Sequence, residues 1–221
     1  MEKYLVLDTE TANSLDDPIV YDIGFAVIDA TGHVYESHSY VIADFFLDKE
    51  LMASAYFAEK IPQYWEDIKN GKRFLRRLKT VKFILKDVCV QHNIQKIVAH
   101  NASFDYKSCN LSQRYATSSK FRWFFPYGVE IWDSLKMAKE IFGKDENYKK
   151  FCADNNYVTM YNKPRFTAEV LYKYLSGDNN FIESHTGLED VMIEKEIFVE
   201  CLRRGCIDGC LYANRLPNTT L

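Results

Sequence analysis

The chain has 221 residues, 47% of them hydrophobic, enough to bury one substantial core. Its net charge of −3, from 28 Lys and Arg against 31 Asp and Glu, argues against a protein that coats nucleic acid by neutralising phosphates. No apolar stretch approaches the length of a membrane span, and Met1-Glu2-Lys3 leads into an apolar run without a signal-peptide pattern, so a soluble cytoplasmic protein with no membrane partner is expected.

Tyr4-Leu5-Val6-Leu7 reads as a buried strand that ends in Asp8 and Glu10. Side chains at i and i+2 share one face of a strand, so the two carboxylates point the same way. Like charges held that close require a cation between them, and oxygen ligands suit a divalent one. Residues 19–28 form a second strand, Asp29-Ala30-Thr31-Gly32 its turn and 33–42 a third strand, an antiparallel meander. Residues 44–70 look helical and then irregular around Pro62, and are assigned to an excursion beside the acidic cleft. From Arg73 to about Val90, the positions Phe74, Leu78, Val81, Leu85 and Val88 follow a 4-3-4-3 spacing that predicts an amphipathic helix packed on the sheet. Its outer positions carry Arg73, Arg76, Arg77, Lys79, Lys82 and Lys86, a solvated face in the plainer reading and a contact with DNA or a protein partner in the sharper one.

Residues 95–99 make another short strand, and Asn101 is placed to cap a helix that starts at Ala102. Asp105 then falls about one turn in, where the helix dipole favours a carboxylate. The aromatic run 121–125 reads as strand or buried loop, and 129–132 as a strand. Asp133 caps a helix over 134–142 that Gly143 ends, with a place close to the bound cations as its alternative role. Two short helices near 146–154 and 167–175 lead to a turn at 177–180. Thr186 and Glu189 have capping-box spacing, which predicts a helix from Gly187 past Phe198 with Leu188, Val191, Met192, Phe198 and Leu202 buried. Asp190 lies in its first turn. His185 sits just outside, on chain that can move, as a group able to approach a cation site or as a plain loop histidine. The six cysteines (89, 109, 152, 201, 206 and 210) form no C-x-x-C pair, which favours reduced thiols, and no histidine near the last three completes a zinc site. A single domain is expected over 1–205, followed by a C-terminal tail, 206–221, loosely ordered from 214 onward.

Taken in order, Asp-Thr-Glu-Thr at 8–11, Asn101-x-x-Phe104-Asp105 and His-x-x-x-x-Asp at 185–190 resemble the three motifs of the DnaQ-like DEDDh family of 3′→5′ exonucleases. Proofreading epsilon subunits, ribonuclease T and oligoribonuclease belong to that family. Each motif is weak alone, but all three in sequence order, each on a fitting element, are specific. Thr186 stands where a sister family has tyrosine, so the histidine branch fits. The chain departs in Ala12-Asn13, where many members have Thr-Gly or similar small residues.

The resemblance, with the β-meander and the later β/α alternation, implies an α/β ribonuclease H-like fold: a mixed five-stranded sheet with helices on both sides. It implies two divalent metal ions, Mg²⁺ or Mn²⁺, with Asp8 bridging them, Glu10 and Asp190 completing the site of the nucleophilic water, Asp105 serving the leaving-group ion and His185 as general base. Thr9, Thr11, Asn101 and Phe104 fall to substrate binding. The implied partner is nucleic acid with a free 3′ end, DNA ahead of RNA, and a proofreading role requires a polymerase or other replication partner as a separate chain. The rivals are an RNA-directed 3′ exonuclease or oligoribonuclease and, from another class, an inactive nuclease-fold binding module. The last is disfavoured because every ligand position and the base are filled.

Overall fold

The computed structural model describes residues 1–206 and 211–214. Strand β1 (Lys3–Ala12) pairs antiparallel with β2 (Ile19–Asp29), and β2 with β3 (Val34–Ile42), which is the expected meander. Helices α1 (Ala43–Phe46), α2 (Lys49–Met52) and α3 (Ile61–Lys69) follow, then β4 (Phe74–Arg76) and α4 (Leu78–Gln91). The second half runs β5 (Lys96–Ala99), α5 (Ala102–Ala116), β6 (Glu130–Asp133), α6 (Ser134–Phe142), α7 (Glu146–Asp154), α8 (Ala168–Ser176), α9 (Gly187–Arg203) and β7 (Leu211–Asn214). Among the described residues, all strands join one mixed sheet in the order β4-β3-β2-β1-β5-β6-β7.

The α/β architecture is as expected, but the sheet has seven strands rather than five. The extra two are short edges: β4 adds parallel to β3, and β7 adds antiparallel to β6. β7 comes from residues assigned to the tail; the rest of that tail beyond Cys206, including Cys210, lies outside the described residues. The five cysteines among the described residues are buried and form no disulfide with one another. No helix of the described residues is long and apolar enough to cross a membrane.

Alternation along β1 sorts the two helical layers. Leu5 and Leu7 pack with Leu78, Val81 and Leu85 of α4 and Cys109 of α5, whereas Tyr4 and Val6 pack with Met137, Leu171, Val191 and Phe198 of α6, α8 and α9. Asp8 and Glu10 share the parity of Tyr4 and Val6, and Thr9 that of Leu5 and Leu7. β1 keeps β5 as its neighbour through the pairing of Val6 with Val98. Soon after, the chain leaves the sheet to enter α5, which opens a crevice at the carboxyl ends of two parallel strands. Open α/β sheets bind their ligands at such places.

Two sequence expectations shift between residues 60 and 78. Pro62 opens α3 instead of an irregular segment, because a proline in the first turn gives up no N–H that the helix needs. α4 starts at Leu78, not Arg73, because residues 74–76 are drawn into the sheet edge beside Tyr40–Ile42. Phe74 is consequently exposed rather than part of the apolar stripe, while Leu78, Val81, Leu85 and Val88 are buried.

Arg73, expected on a solvated face, is 2% exposed. Its Nε meets Asp67 at 3.1 Å, Nη1 meets Ser39 at 3.0 Å and Asp22 at 3.3 Å, and Nη2 meets Glu189 at 2.6 Å. Asp22 also accepts from the Tyr64 hydroxyl at 2.7 Å and from the Gly187 backbone N–H at 2.9 Å. One guanidinium thus ties β2, β3, α3 and the start of α9, a use of arginine's fixed fork of donors.

At that start, backbone meets backbone. A Cβ on Gly24 would stand 2.2 Å from the Leu188 nitrogen, and one on Gly187 would stand 2.6 Å from the Gly24 nitrogen. Gly24 is the pairing partner of Asp8, so this contact sets how near α9 comes to the acidic strand. Gly24→Ala should therefore destabilise the protein by about 1–3 kcal/mol through overpacking. Urea and thermal melts measure this; a variant that melts with the parent would mean that the contact is looser than described.

Candidate active site

β1 runs through the acidic pair rather than ending at it. Asp8 pairs with Gly24 and Glu10 with Asp22, and the register shifts after Glu10. Asn13 closes the segment with φ +71°, the left-handed conformation that asparagine tolerates better than most residues. The chain thus keeps the backbone turn that a glycine would give there.

α5 begins at Ala102 as predicted, but Asn101 does not cap it with its side chain. Asn101 has φ +70°; its backbone N–H donates to Asp133 Oδ1 at 3.2 Å, and its side-chain oxygen accepts from the Ser103 hydroxyl at 3.2 Å. The same Asp133 oxygen caps α6 through the Leu135 N–H at 3.0 Å. Asp133 therefore performs the predicted capping and also positions the second motif. Asp105 is 3% exposed and accepts the Thr9 hydroxyl at 2.8 Å. Thr9, itself buried, thus joins the first motif to the second. Phe104 and Thr11 are half-buried, and Asn101 is exposed.

In the third motif, the capping box does not close as the spacing predicts. The Thr186 hydroxyl donates to Glu189 Oε2 at 3.0 Å, and it is Asp190 whose Oδ2 accepts the Thr186 backbone N–H, at 3.0 Å. The other Asp190 oxygen accepts from the Ser184 hydroxyl at 3.1 Å, so both oxygens are oriented. His185 stands outside the helix as expected, with φ +49°. Its ring stacks on Phe57, centroids 4.2 Å apart and planes 11° apart, and the Lys60 ammonium donates to the Ser184 carbonyl. Residues 44–70 therefore do border the site. Ligand atoms of Glu10, His185 and Asp190 all lie within 4.8 Å of one another.

Two carboxylates were missed in the sequence. Glu183 Oε2 lies 4.0 Å from His185 Nδ1. Glu194, 5% exposed, sits one helical turn beyond Asp190. A glutamate on the apolar stripe of a helix was the signal for the second; a loop glutamate carries none.

Burial drives these carboxyls upward and their neighbours add to it. Asp8 is raised well above the usual range by burial, then by Glu194, Asp105, Glu10 and Asp190. Burial, then Asp190, lifts Glu10 to about 9, and burial, then Asp190, lifts Glu183 to about 8. Asp105 reaches about 7 by burial, against the Thr9 hydrogen bond, and Asp190 about 6 by burial, against Ser184. Burial, then Lys60, lowers His185 and favours its neutral form. The donors are carboxylate oxygens and one imidazole, and the buried Glu194 Oε2 has no hydrogen-bond partner, so the residues fit a hard divalent cation such as Mg²⁺ or Mn²⁺.

No family model and no curated protein sequence matches the chain. Solved structures do. Exonuclease X in complex with 5′-overhanging duplex DNA matches with a TM-score of 0.50 and 15% identity, over 91% of this chain and 92% of that one. Cell-death related nuclease 4 gives 0.55 and 10%, over 93% and 65%. The zinc-bound complex of E. coli exonuclease I with single-stranded DNA gives 0.51 and 14%, over 93% of this chain and only 41% of that one. At these identities the likeness is one of fold, and the fold is the ribonuclease H-like one of these nucleases.

Without divalent cations, a carboxyl with a raised folded pKa keeps its proton in the folded state where the unfolded chain has lost it. The stability it contributes is complete below about pH 4 and is lost as pH rises through about 6, 7, 8 and 9 for Asp190, Asp105, Glu183 and Glu10 in turn. Glu10→Gln should remove part of that loss, so the gap between its melting temperature and the parent's, both measured in EDTA, should widen in the variant's favour from acid to alkaline pH. A gap that is constant or moves the other way would overturn the crowded placement of Glu10.

Proposed function

We propose that residues 1–205 form a metal-dependent 3′→5′ exonuclease that hydrolyses DNA, as single strands or frayed 3′ ends, to nucleoside 5′-monophosphates. The observation that carries this reading is the convergence of Asp8, Glu10, Asp105, His185 and Asp190 on one crevice from β1, α5 and the start of α9. The shared fold of the nucleases named above supports it. Two divalent ions held by the four aspartate and glutamate side chains would supply an activated water and neutralise the charge that builds at phosphorus.

Asp8, on which Glu10, Asp105 and Asp190 all bear, would be among the residues that hold the ions. His185 takes the proton of the attacking water at a ring nitrogen. Its lowered pKa keeps it neutral and able to accept, and the Phe57 stack fixes its plane. Glu183 Oε2 stands 4.0 Å from Nδ1, where the carboxylate, once ionised, would stabilise the imidazolium. Phe104, Thr11 and Asn101 are assigned to the terminal nucleotide, whereas Thr9 acts through Asp105. A single strand is favoured over a duplex because the terminal nucleotide must leave its stack to reach the carboxylates.

End-labelled DNA and RNA, single- and double-stranded, digested with Mg²⁺, Mn²⁺ or EDTA, test the reading. Strands with a 3′-hydroxyl should shorten one nucleotide at a time, 5′ blocks should make no difference, and 3′-phosphates or a closed circle should resist. Nicking of the circle by the parent but not by Asp8→Ala would leave a two-metal nuclease without the exonuclease assignment; stronger cleavage of RNA would move the substrate. Asp8→Ala should abolish cleavage while melting, without metal, at or above the parent. His185→Ala should be slower by ~10²–10⁴ and lose the limb of the pH profile near neutrality. An unchanged profile would assign the base elsewhere.

A further inference from the structure

Glu194 has no part in the chemistry above, and the four carboxylates of the motifs do not include it. It lies four residues after Asp190 on α9, so the two share a face of the helix, the one that also buries Val191, Ile197 and Phe198. An apolar residue is what that stripe ordinarily carries. Glu194 is 5% exposed, and its Oε2 is buried without a hydrogen-bond partner. The backbone N–H of His100 donates to its carboxyl, but the charges that bear on it most are Asp105, Asp190 and Glu183, all of its own sign.

Among the charges that bear on Asp8, Glu194 comes first, followed by Asp105. The buried cation of this region, Arg73, is engaged by Asp22, Asp67 and Glu189. A buried carboxylate with an orphan oxygen among like charges is a liability unless a cation completes it. A route for one exists. Glu183 and Glu194 line a groove of about 770 Å³ that is open to solvent and that Lys139, Lys163 and Arg165 also line.

We propose that Glu194 is a further carboxylate of the cation site, which holds a hard divalent cation together with Asp8 and Asp105, on the Asp105 side of the crevice. This rests on the cation-site reading given above and extends it to a residue outside the three motifs. Its consequence is a site that grips one ion with an extra negative charge, so that this ion stays bound at cation concentrations that empty the Glu10–His185–Asp190 side.

Titration of Mn²⁺ into the full chain without nucleic acid, with free Mn²⁺ followed by electron paramagnetic resonance, tests this apart from catalysis. Glu194→Gln keeps the shape and removes the charge; it should bind one Mn²⁺ at least about ten-fold more weakly than the parent. Glu196→Gln, exposed on the same helix, should bind as the parent does. Asp8→Asn should lose binding. If Asp8→Asn loses Mn²⁺ while Glu194→Gln keeps the parent's affinity and stoichiometry, the Glu194 proposal is wrong and the catalytic reading stands. If neither variant changes binding, the cation site itself is misplaced and both fall. Thermal melts in EDTA should place Glu194→Gln at or above the parent. Should that variant not fold, Glu194→Asp, which keeps the charge on a shorter side chain, must show the same weakening or the proposal fails.

Discussion

The close approach of α9 to β2, backbone on backbone at Gly24 and Gly187, is the constraint on which the site depends. With no Cβ on either side, the first turn of α9 can lie directly over the strand pair that carries Asp8 and Glu10. The contact is locked by polar groups that its own closeness would otherwise orphan. The Gly187 N–H is given to Asp22, Asp22 is met by Arg73, and Arg73 reaches on to Glu189 in the same first turn. A helix N-terminus must place its free N–H groups somewhere, and here one of them is spent on position. Asp190, His185 and Glu194 all inherit their placement from this junction.

What the junction brings together does not favour folding. Asp8, Glu10, Asp105, Glu183, Asp190 and Glu194 are raised by burial, and their mutual repulsion adds to it in most of them. Such an arrangement persists only because the surrounding structure over-determines it. The two layers supply that surplus through the apolar packing on both faces of the sheet. A divalent cation would convert the repulsion into ligation, and any species that binds only the folded state stabilises it by mass action. Under the proposed function, stability and function would therefore be opposed in the metal-free protein and aligned in a loaded one.

The legible part of this arrangement is local. The parity of β1, the meander, the start of α5 at Ala102 and the start of α9 at Gly187 follow from periodicity and turn residues within a few positions of each other. The illegible part is what distant segments do to one another. Arg73 lies among Lys72, Arg76 and Arg77, and nothing within that run distinguishes the one guanidinium that Asp22 and Glu189 draw inward. β4 and β7 are too short to carry an alternation and exist because a sheet edge offers unpaired backbone. Asn101 looked like a helix cap because its residue type is a common one, yet Asp133, from the next β/α unit, takes its backbone N–H. Gly24 reads as a plain residue of a strand until the helix that needs its missing Cβ is placed over it.

β1 itself divides the labour residue by residue. Asp8 and Glu10 face the α9 layer, and Thr9 between them faces α5 and holds Asp105 by its hydroxyl. Candidate ligand and positioning side chains thus alternate along three consecutive residues, and each face of the strand is tied to a different helix. A register slip of one residue would turn Thr9 toward α9 and both carboxylates into the α5 layer, separating every group that the crevice now collects. The two-sided apolar packing of β1 opposes that slip, because Leu5 and Leu7 would leave one helical layer and Tyr4 and Val6 the other, while Gly24, opposite Asp8, leaves room on β2 for Gly187 and Leu188. The alternation of β1 thus settles which residues reach the crevice, and the glycine on the neighbouring strand settles how closely α9 can approach them.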